Sequence, residues 1–361
     1  MPQQTETTDR TAFTQQDTLL LKGAAAVMIL AHHLFTYDYR LAEGVGYFSM
    51  GSYYGSKYET ILGAFCQIGL SLFLVLGGYG TWLSWQRAAN KPRKLAGKLG
   101  GLYIGYWKVF VIFVPLAVLL HDPMVQLTPG LFLQNLLALA PTYNAEWWFM
   151  PVYLLLTLLF PVIWLAFRGR RPAWADAALV ILFDLAATKL LPLALALPAL
   201  GRLQQTLPGL QLYNTLQWTA PFLAGCVLAK HDGLARMRQH LPRGAVGRAC
   251  CLGAITAVFF LRAFDVCRMD CILAPVLALA LDALLRETGL LARGLAAVGR
   301  QSMSIWLVHS FYCYHFCQAF VYSPKLPVLI LALLLAMSWI TARALEVFYG
   351  ALGRLVPGRS Q

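Results

Sequence analysis

Residues 22–33 read KGAAAVMILAHH, a lysine and two histidines bracketing nine small or apolar residues. With its neighbours the run extends over 18–36, close to the twenty or so residues that cross a bilayer core as a helix. A strand is excluded on two grounds: apolar and polar residues do not alternate, and an open sheet edge cannot satisfy its backbone in lipid. Helix geometry then relates the bracketing groups. Eleven steps at about 100° bring the chain only ~20° past three full turns, so His33 stands over Lys22 on one face, ~16 Å further along the axis. His32 is displaced from that face by ~80°. One helix face thus offers a cation at one end and a deep imidazole at the other.

The rest of the chain has the same character. Of its 361 residues, 59% are hydrophobic and only 12% charged, and the mean hydropathy is +0.61. Soluble domains carry roughly twice that charged fraction. Apolar stretches recur from Leu19 to Tyr349 and leave no room for a second globular domain. The expected architecture is all-α and polytopic, with ten transmembrane helices near 18–36, 61–85, 99–120, 147–167, 175–198, 215–230, 246–263, 270–286, 302–322 and 327–349. Polar tails at 1–16 and 350–361 flank a membrane domain over 17–349. No basic leader with a small-residue cleavage site precedes the first helix, which is therefore expected to stay in the mature protein.

The net charge of +13 is confined to alternate loops. Nineteen of the 29 lysines and arginines, among them Arg93, Lys94, Lys98, Arg170 and Arg238, fall on one side; Arg40, Lys57, Arg202, Arg262, Arg268 and Lys325 fall on the other. This is the bias of cytoplasmic loops, so no nucleic-acid partner is expected and both termini are placed in the cytoplasm. The largest outer segments, 37–60 and 121–146, carry an aromatic rim. Such a rim serves either as an interfacial belt or as a sugar-stacking surface, and the belt is the expected reading.

Ionisable groups at membrane depth are costly and so are candidates for function. They are Lys22, His32, His33, Lys108, Asp184, Lys189, His309, His315, Arg343 and Glu346, with Glu146 at an outer helix end. Two readings stand for each. A buried histidine is either hydrogen-bonded glue between helices or a titrating group able to take a hydroxyl proton, and Lys22 either snorkels to the interface or holds an anion. The eight cysteines include no CxxC pair; Cys267/Cys271 and Cys313/Cys317, spaced i,i+4, read as buried small hydrophobes, and no metal site is expected.

Five stretches then carry a resemblance. Lys22, ten intervening residues and His33 resemble the first-helix pattern of the bacterial membrane acyltransferase-3 family, with Lys for the commoner Arg. SLFLVLGGYG (71–80) is similar to the family's second-helix stretch, with Gly77 for the usual Ser. KLGGLYIGYW (98–107) is similar to its third-helix entry, with Lys98 for Arg and Gly105 for Pro. AEWWFMPVYLLLTLLFP (145–161) looks like its fourth element, and GRQSMSIWLVHSFY (299–312) resembles its late helix. The five occur in family order across about 300 residues.

The resemblance implies an enzyme of the bacterial cytoplasmic membrane that moves an acyl group, usually acetyl from acetyl-CoA, to a hydroxyl of an extracytoplasmic glycan or glycolipid. No permanently bound cofactor is implied; acyl-CoA is a substrate. Lys22, Lys98, Arg93 and Lys94 gather where the CoA phosphates would sit, and cations hold phosphates by charge-assisted hydrogen bonds. His33 would act as base or as acyl carrier. Glu146 would orient an imidazole or an acceptor hydroxyl, Trp147 and Trp148 would stack on a sugar, with His32 beside them, and His309 matches the late histidine. An interfacial tryptophan pair beside a helix-capping acid is the competing account of 146–148. His315 has no clear match. The chain departs from the family where an acid often stands about three residues before the basic residue: Asp17 stands five before Lys22, and that role is not carried over. A polysaccharide or lipid exporter or flippase is the alternative function; such a protein would more readily show internally related halves, and none are visible. Oligomeric state, acceptor and acyl length are not expressed in the sequence.

Overall fold

Thr14 and Asp17 start the first helix by capping each other. Thr14 Oγ1 accepts from the Asp17 amide at 3.2 Å, and an Asp17 carboxylate oxygen accepts from the Thr14 amide at 2.8 Å. The pair satisfies amides that would otherwise lack partners at the helix end. The computed structural model describes residues 12–355, so most of the expected tail at 1–16, and the end of the one at 350–361, lie outside the described residues. Helix reaches into both expected tails: α1 spans Gln15–Phe35 and the last helix runs to Leu355.

The order is α1; α2 (Tyr58–Cys66) and α3 (Ile68–Gln86), which break at Gln67; α4 (Lys91–Leu119); α5 (Pro129–Leu136); α6 (Phe149–Phe167); and α7 (Ala173–Leu185), which continues through a π turn (Ala186–Leu190) into α8 (Leu191–Leu195). Then come α9 (Pro198–Gln204), α10 (Leu207–Lys230), α11 (Gly233–His240), α12 (Gly244–Ala263), α13 (Asp270–Leu285), α14 (Leu290–Arg300), α15 (Ser302–Ser310), a π segment (Phe311–Phe316), α16 (Gln318–Val321) and α17 (Pro327–Leu355). The only sheet among the described residues is a hairpin of two-residue strands, Ser52–Tyr53 and Ser56–Lys57, closed by Tyr54-Gly55 with φ of 47° and 81°. Positive φ at both turn residues suits the twist of a two-residue hairpin.

Among the described residues seven helices are long and apolar enough to cross a membrane: α1, α2–α3, α4, 145–167, 173–195, α12 and α17. The other three expected spans are helical but differ. α10 has 24 residues and a more polar sequence, α13 only 16, and 302–322 is interrupted by the π segment. The outer surface is apolar, with Val111, Leu158, Val162 and Leu182 all exposed. That is the inverse of a soluble domain, and this is a multi-pass membrane protein in form.

α1 is the central post, packed against α2, α3, α14 and α15. Its small residues let neighbours approach closely. A Cβ on Gly23 would overlap the Leu295 carbonyl of α14, just as one on Gly225 of α10 would overlap Val75 of α3. Without a hydrophobic driving force between helices in lipid, such close backbone contact supplies much of the packing energy.

Candidate active site

His33 lies in the last turn of α1, and Glu146 in a 3₁₀ turn (Ala145–Trp148) that leads into α6. The fully buried Asn144 sets that turn. Its side chain accepts from the Glu146 amide at 3.1 Å and exchanges hydrogen bonds with Ser310 at 2.7 and 3.0 Å. Glu146 Oε2 then stands 3.2 Å from His33 Nδ1, at ion-pair distance but off the line of a hydrogen bond. Its Oε1 accepts from the Arg40 guanidinium at 2.6 Å. Arg40 comes from a 3₁₀ turn (Asp38–Arg40) after α1, and its guanidinium lies 4.6 Å from the centre of the Tyr314 ring. Burial alone would weaken the hold of Arg40 on its proton, but the Glu146 carboxylate more than offsets this and the net direction is upward. Arg40 is a fixed cation.

The imidazoles around His33 have assignable tautomers. His32 Nδ1 lies 2.9 Å from the Gly63 carbonyl and His309 Nδ1 lies 2.6 Å from the Trp306 carbonyl. A carbonyl only accepts, so each Nδ1 carries the proton and each Nε2 keeps a lone pair. His309 is wholly buried, its Nε2 has no partner among the described residues, and its ring centre is 4.9 Å from that of His33. Glu146 favours the same tautomer in His33, whose Nε2 then keeps its lone pair. The Tyr314 hydroxyl donates to the His33 carbonyl and fixes the backbone there.

Three cavities lie end to end along this side of α1. The first, about 660 Å³, is a basic vestibule lined by Lys22, Arg93, Lys94 and Lys98 with Thr81, Ser84 and several glycines and alanines, and no acid. The N-terminus of α4 adjoins it through Asn90, whose side chain caps the Arg93 amide, and helix N-termini favour anions. The second, about 180 Å³, is mostly apolar. It shares Lys22, Gly77 and Tyr153 with the first and Leu70, Phe149 and Trp306 with the third. The third, about 320 Å³, is the chamber holding His32, His33, Arg40, Gln67, Glu146 and Trp148.

The expected residues therefore divide. His33, Glu146 and His309 meet, with His32 and Trp148 in the same chamber wall. Lys22, Arg93, Lys94 and Lys98 share the vestibule, and Lys22 makes no ion pair among the described residues. Trp147 lies elsewhere: it is fully buried against Tyr106 and donates to the Leu307 carbonyl at 2.9 Å, which makes it a packing residue. His315 pairs with Asp122 at 2.7 Å on the far side of Arg40. Arg40, Gln67, Tyr153 and Trp306 were not expected. Arg40 had one signal, its place among the few basic residues on the sparsely charged side.

A family model described as an acyltransferase domain matches residues 20–343. No curated protein and no solved structure matches the chain.

Proposed function

The chain belongs to the acyltransferase-3 family, and from that membership and the cavities beside α1 we propose a ten-span O-acyltransferase of the bacterial cytoplasmic membrane. It moves acetyl from cytoplasmic acetyl-CoA to a hydroxyl of an extracytoplasmic glycan or glycolipid. One observation carries the reading: a basic, acid-free vestibule leads through a narrow apolar link to a chamber built on His33 and Glu146. The phosphates of CoA suit the vestibule cations, and its slim pantetheine arm suits the link, so the thioester reaches the chamber while the nucleotide stays behind.

In the chamber, the acceptor hydroxyl oxygen attacks the thioester carbon as His33 Nε2 takes the hydroxyl proton. The tetrahedral oxyanion collapses, the carbon–sulfur bond breaks, and the leaving thiolate takes the proton from His33 to give free CoA. Glu146 faces Nδ1 and stabilises the imidazolium formed in between. Arg40 fixes Glu146, and Trp148 offers a ring on which an acceptor sugar can stack. The link admits a thin chain rather than a whole glycan, which supports transfer over export.

The test is acetyl-CoA labelled in its acetyl group, supplied to the purified protein in bilayers with envelope glycolipids. Free CoA and labelled ester in equal amounts, both lost in His33→Ala, support the reading. Glycan movement across the bilayer without CoA release would point to the exporter instead.

A further inference from the structure

An acyl transfer through a tetrahedral intermediate needs a hydrogen-bond donor for the carbonyl oxygen as it becomes an oxyanion, and removing one such donor costs about 10²–10³ in kcat. The chamber is rich in groups of the opposite kind. His32 Nε2 and His309 Nε2 are lone pairs, Glu146 is an acceptor, and Arg40 gives an N–H to Glu146, which neutralises its charge.

Gln67 differs. It sits at the break between α2 and α3, lines the chamber, and is only half-buried. Its Oε1 accepts from an Arg262 NH2 at 3.2 Å. A guanidinium has only donors, so this contact settles which end of the Gln67 amide is oxygen. The NH2 group must point away from Arg262, and it has no hydrogen-bond partner among the described residues. Arg262 is itself held: it is 4% exposed, its Nε lies 3.0 Å from an oxygen of Asp270, and the other Asp270 oxygen accepts from Ser71 at 2.6 Å. A buried ion pair on two apolar helices carries a desolvation cost of several kcal/mol per ion. Ser71–Asp270–Arg262 therefore forms a costly, rigid support ending on one amide in the chamber wall.

Resting on the acyl-transfer reading above, we propose that Gln67 is the oxyanion donor of this enzyme, and that Arg262 and Asp270 are positioning residues that aim it. As the hydroxyl adds to the thioester and its proton passes to His33, negative charge builds on the former carbonyl oxygen, and a Gln67 N–H bonds it there. The contact strengthens only as that charge develops, so it raises kcat rather than ground-state affinity. Trp148, Trp306, Tyr37 and Tyr39 also line the chamber and carry donor groups, but no hydrogen bond among the described residues aims any of them.

Two variants separate the roles. Gln67→Glu keeps the shape and can still accept from Arg262, so the fold is retained while the donor is lost. Gln67→Ala removes the group altogether. Both should lower kcat by about 10²–10³, with Gln67→Glu the worse because it adds an anion beside the oxyanion. Acetyl-CoA affinity and acceptor KM should stay within about threefold of wild type. Arg262→Met should lower kcat without changing donor affinity, and it should add little to Gln67→Ala in the double variant. A kcat within threefold of wild type in both Gln67 variants would overturn the proposal and leave the oxyanion to another donor of the wall, among Arg40, the two indoles and the Tyr37 and Tyr39 hydroxyls. Raised acceptor KM at unchanged kcat would overturn it too and make Gln67 an acceptor-binding residue. A wild-type protein that releases no CoA from acetyl-CoA would instead bring down the acyl-transfer reading beneath it.

Discussion

Glu146 Oε2 faces His33 Nδ1 at 3.2 Å, and the carboxylate that does this is anchored from behind by Arg40 at 2.6 Å. The pair joins the last turn of α1 to the turn before α6, and with it a buried base acquires both a tautomer and a counter-charge. Glu146→Gln preserves the shape but removes the charge, and its amide can present a donor to Nδ1. We expect kcat to fall by about 10²–10⁴, as for an orienting acid in a catalytic dyad, while acetyl-CoA binding measured by calorimetry is unchanged. A loss below threefold would demote Glu146 to a structural acid.

The two adjacent histidines should not behave alike. His33 is tied to Glu146, whereas His32 is tied to the Gly63 backbone and to Thr36 at 2.9 Å each. His33→Ala should abolish transfer and leave membrane insertion intact. His32→Ala should lower activity about fivefold, through a lost buried hydrogen bond worth ~1 kcal/mol. Equal activities in the two variants would end the assignment of His33 as the base.

Lys22 occupies the junction of vestibule and link with no carboxylate to neutralise it. Lys22→Met should weaken acetyl-CoA binding about 10–100-fold, the worth of one charged hydrogen bond; Lys22→Arg should retain part of it, and His33→Ala nearly all. Equilibrium binding on the three purified variants checks this. Unchanged affinity in Lys22→Met would move donor recognition to Lys98, Arg93 and Lys94.

A Cβ at position 77 would stand 2.6 Å from the Tyr153 hydroxyl oxygen, at the mouth of the link. Gly77→Ala should therefore lower kcat/KM for acetyl-CoA about tenfold, from overpacking of ~1–3 kcal/mol. Tyr153→Phe in the same chain should restore most of it by removing the clashing atom. Steady-state kinetics on the double variant decide the point, since no recovery would mean that the two residues do not share the passage.

The proposed orientation is open to labelling. Cysteines at Lys94 and Arg170 should react with impermeant maleimide only from the cytoplasmic side, and those at Tyr54 and Leu127, 92% and 59% exposed, only from outside. Lys94 and Arg170 on opposite faces would mean a miscounted span between them.

The helices were legible because apolar length alone demands them in lipid, but their ends were not. α4 was expected from residue 99 and starts at Lys91, because the Asn90 cap rather than hydropathy sets its first turn. The late helix was expected unbroken over 302–322. A π segment at Phe311–Phe316 has one extra residue per turn and no sequence mark, and it is what brings Tyr314 to the His33 carbonyl. At the site, His33, Lys22, Glu146 and His309 could be picked out because spacing and motif carry them. Gln67 could not, since a glutamine at a helix break says nothing until Arg262 is folded against it. A faint trace was present all the same. Arg40 and Arg262 both belong to the minority of basic residues on the sparsely charged side, and each turns out to hold a group of the chamber.

In an energised membrane, a protein hollowed along so much of its depth would have to hold off the proton gradient. The vestibule is basic and the chamber lined with imidazoles, so either, once filled with water, would conduct protons readily. Only the link between them is greasy, walled by Leu70, Phe73, Leu102, Phe149 and Met150. Hydrophobic constrictions can gate by losing their water. Under the proposed reading those few side chains serve as an electrical plug as well as a passage, and the resting enzyme would be insulated at the same point through which its thioester slides.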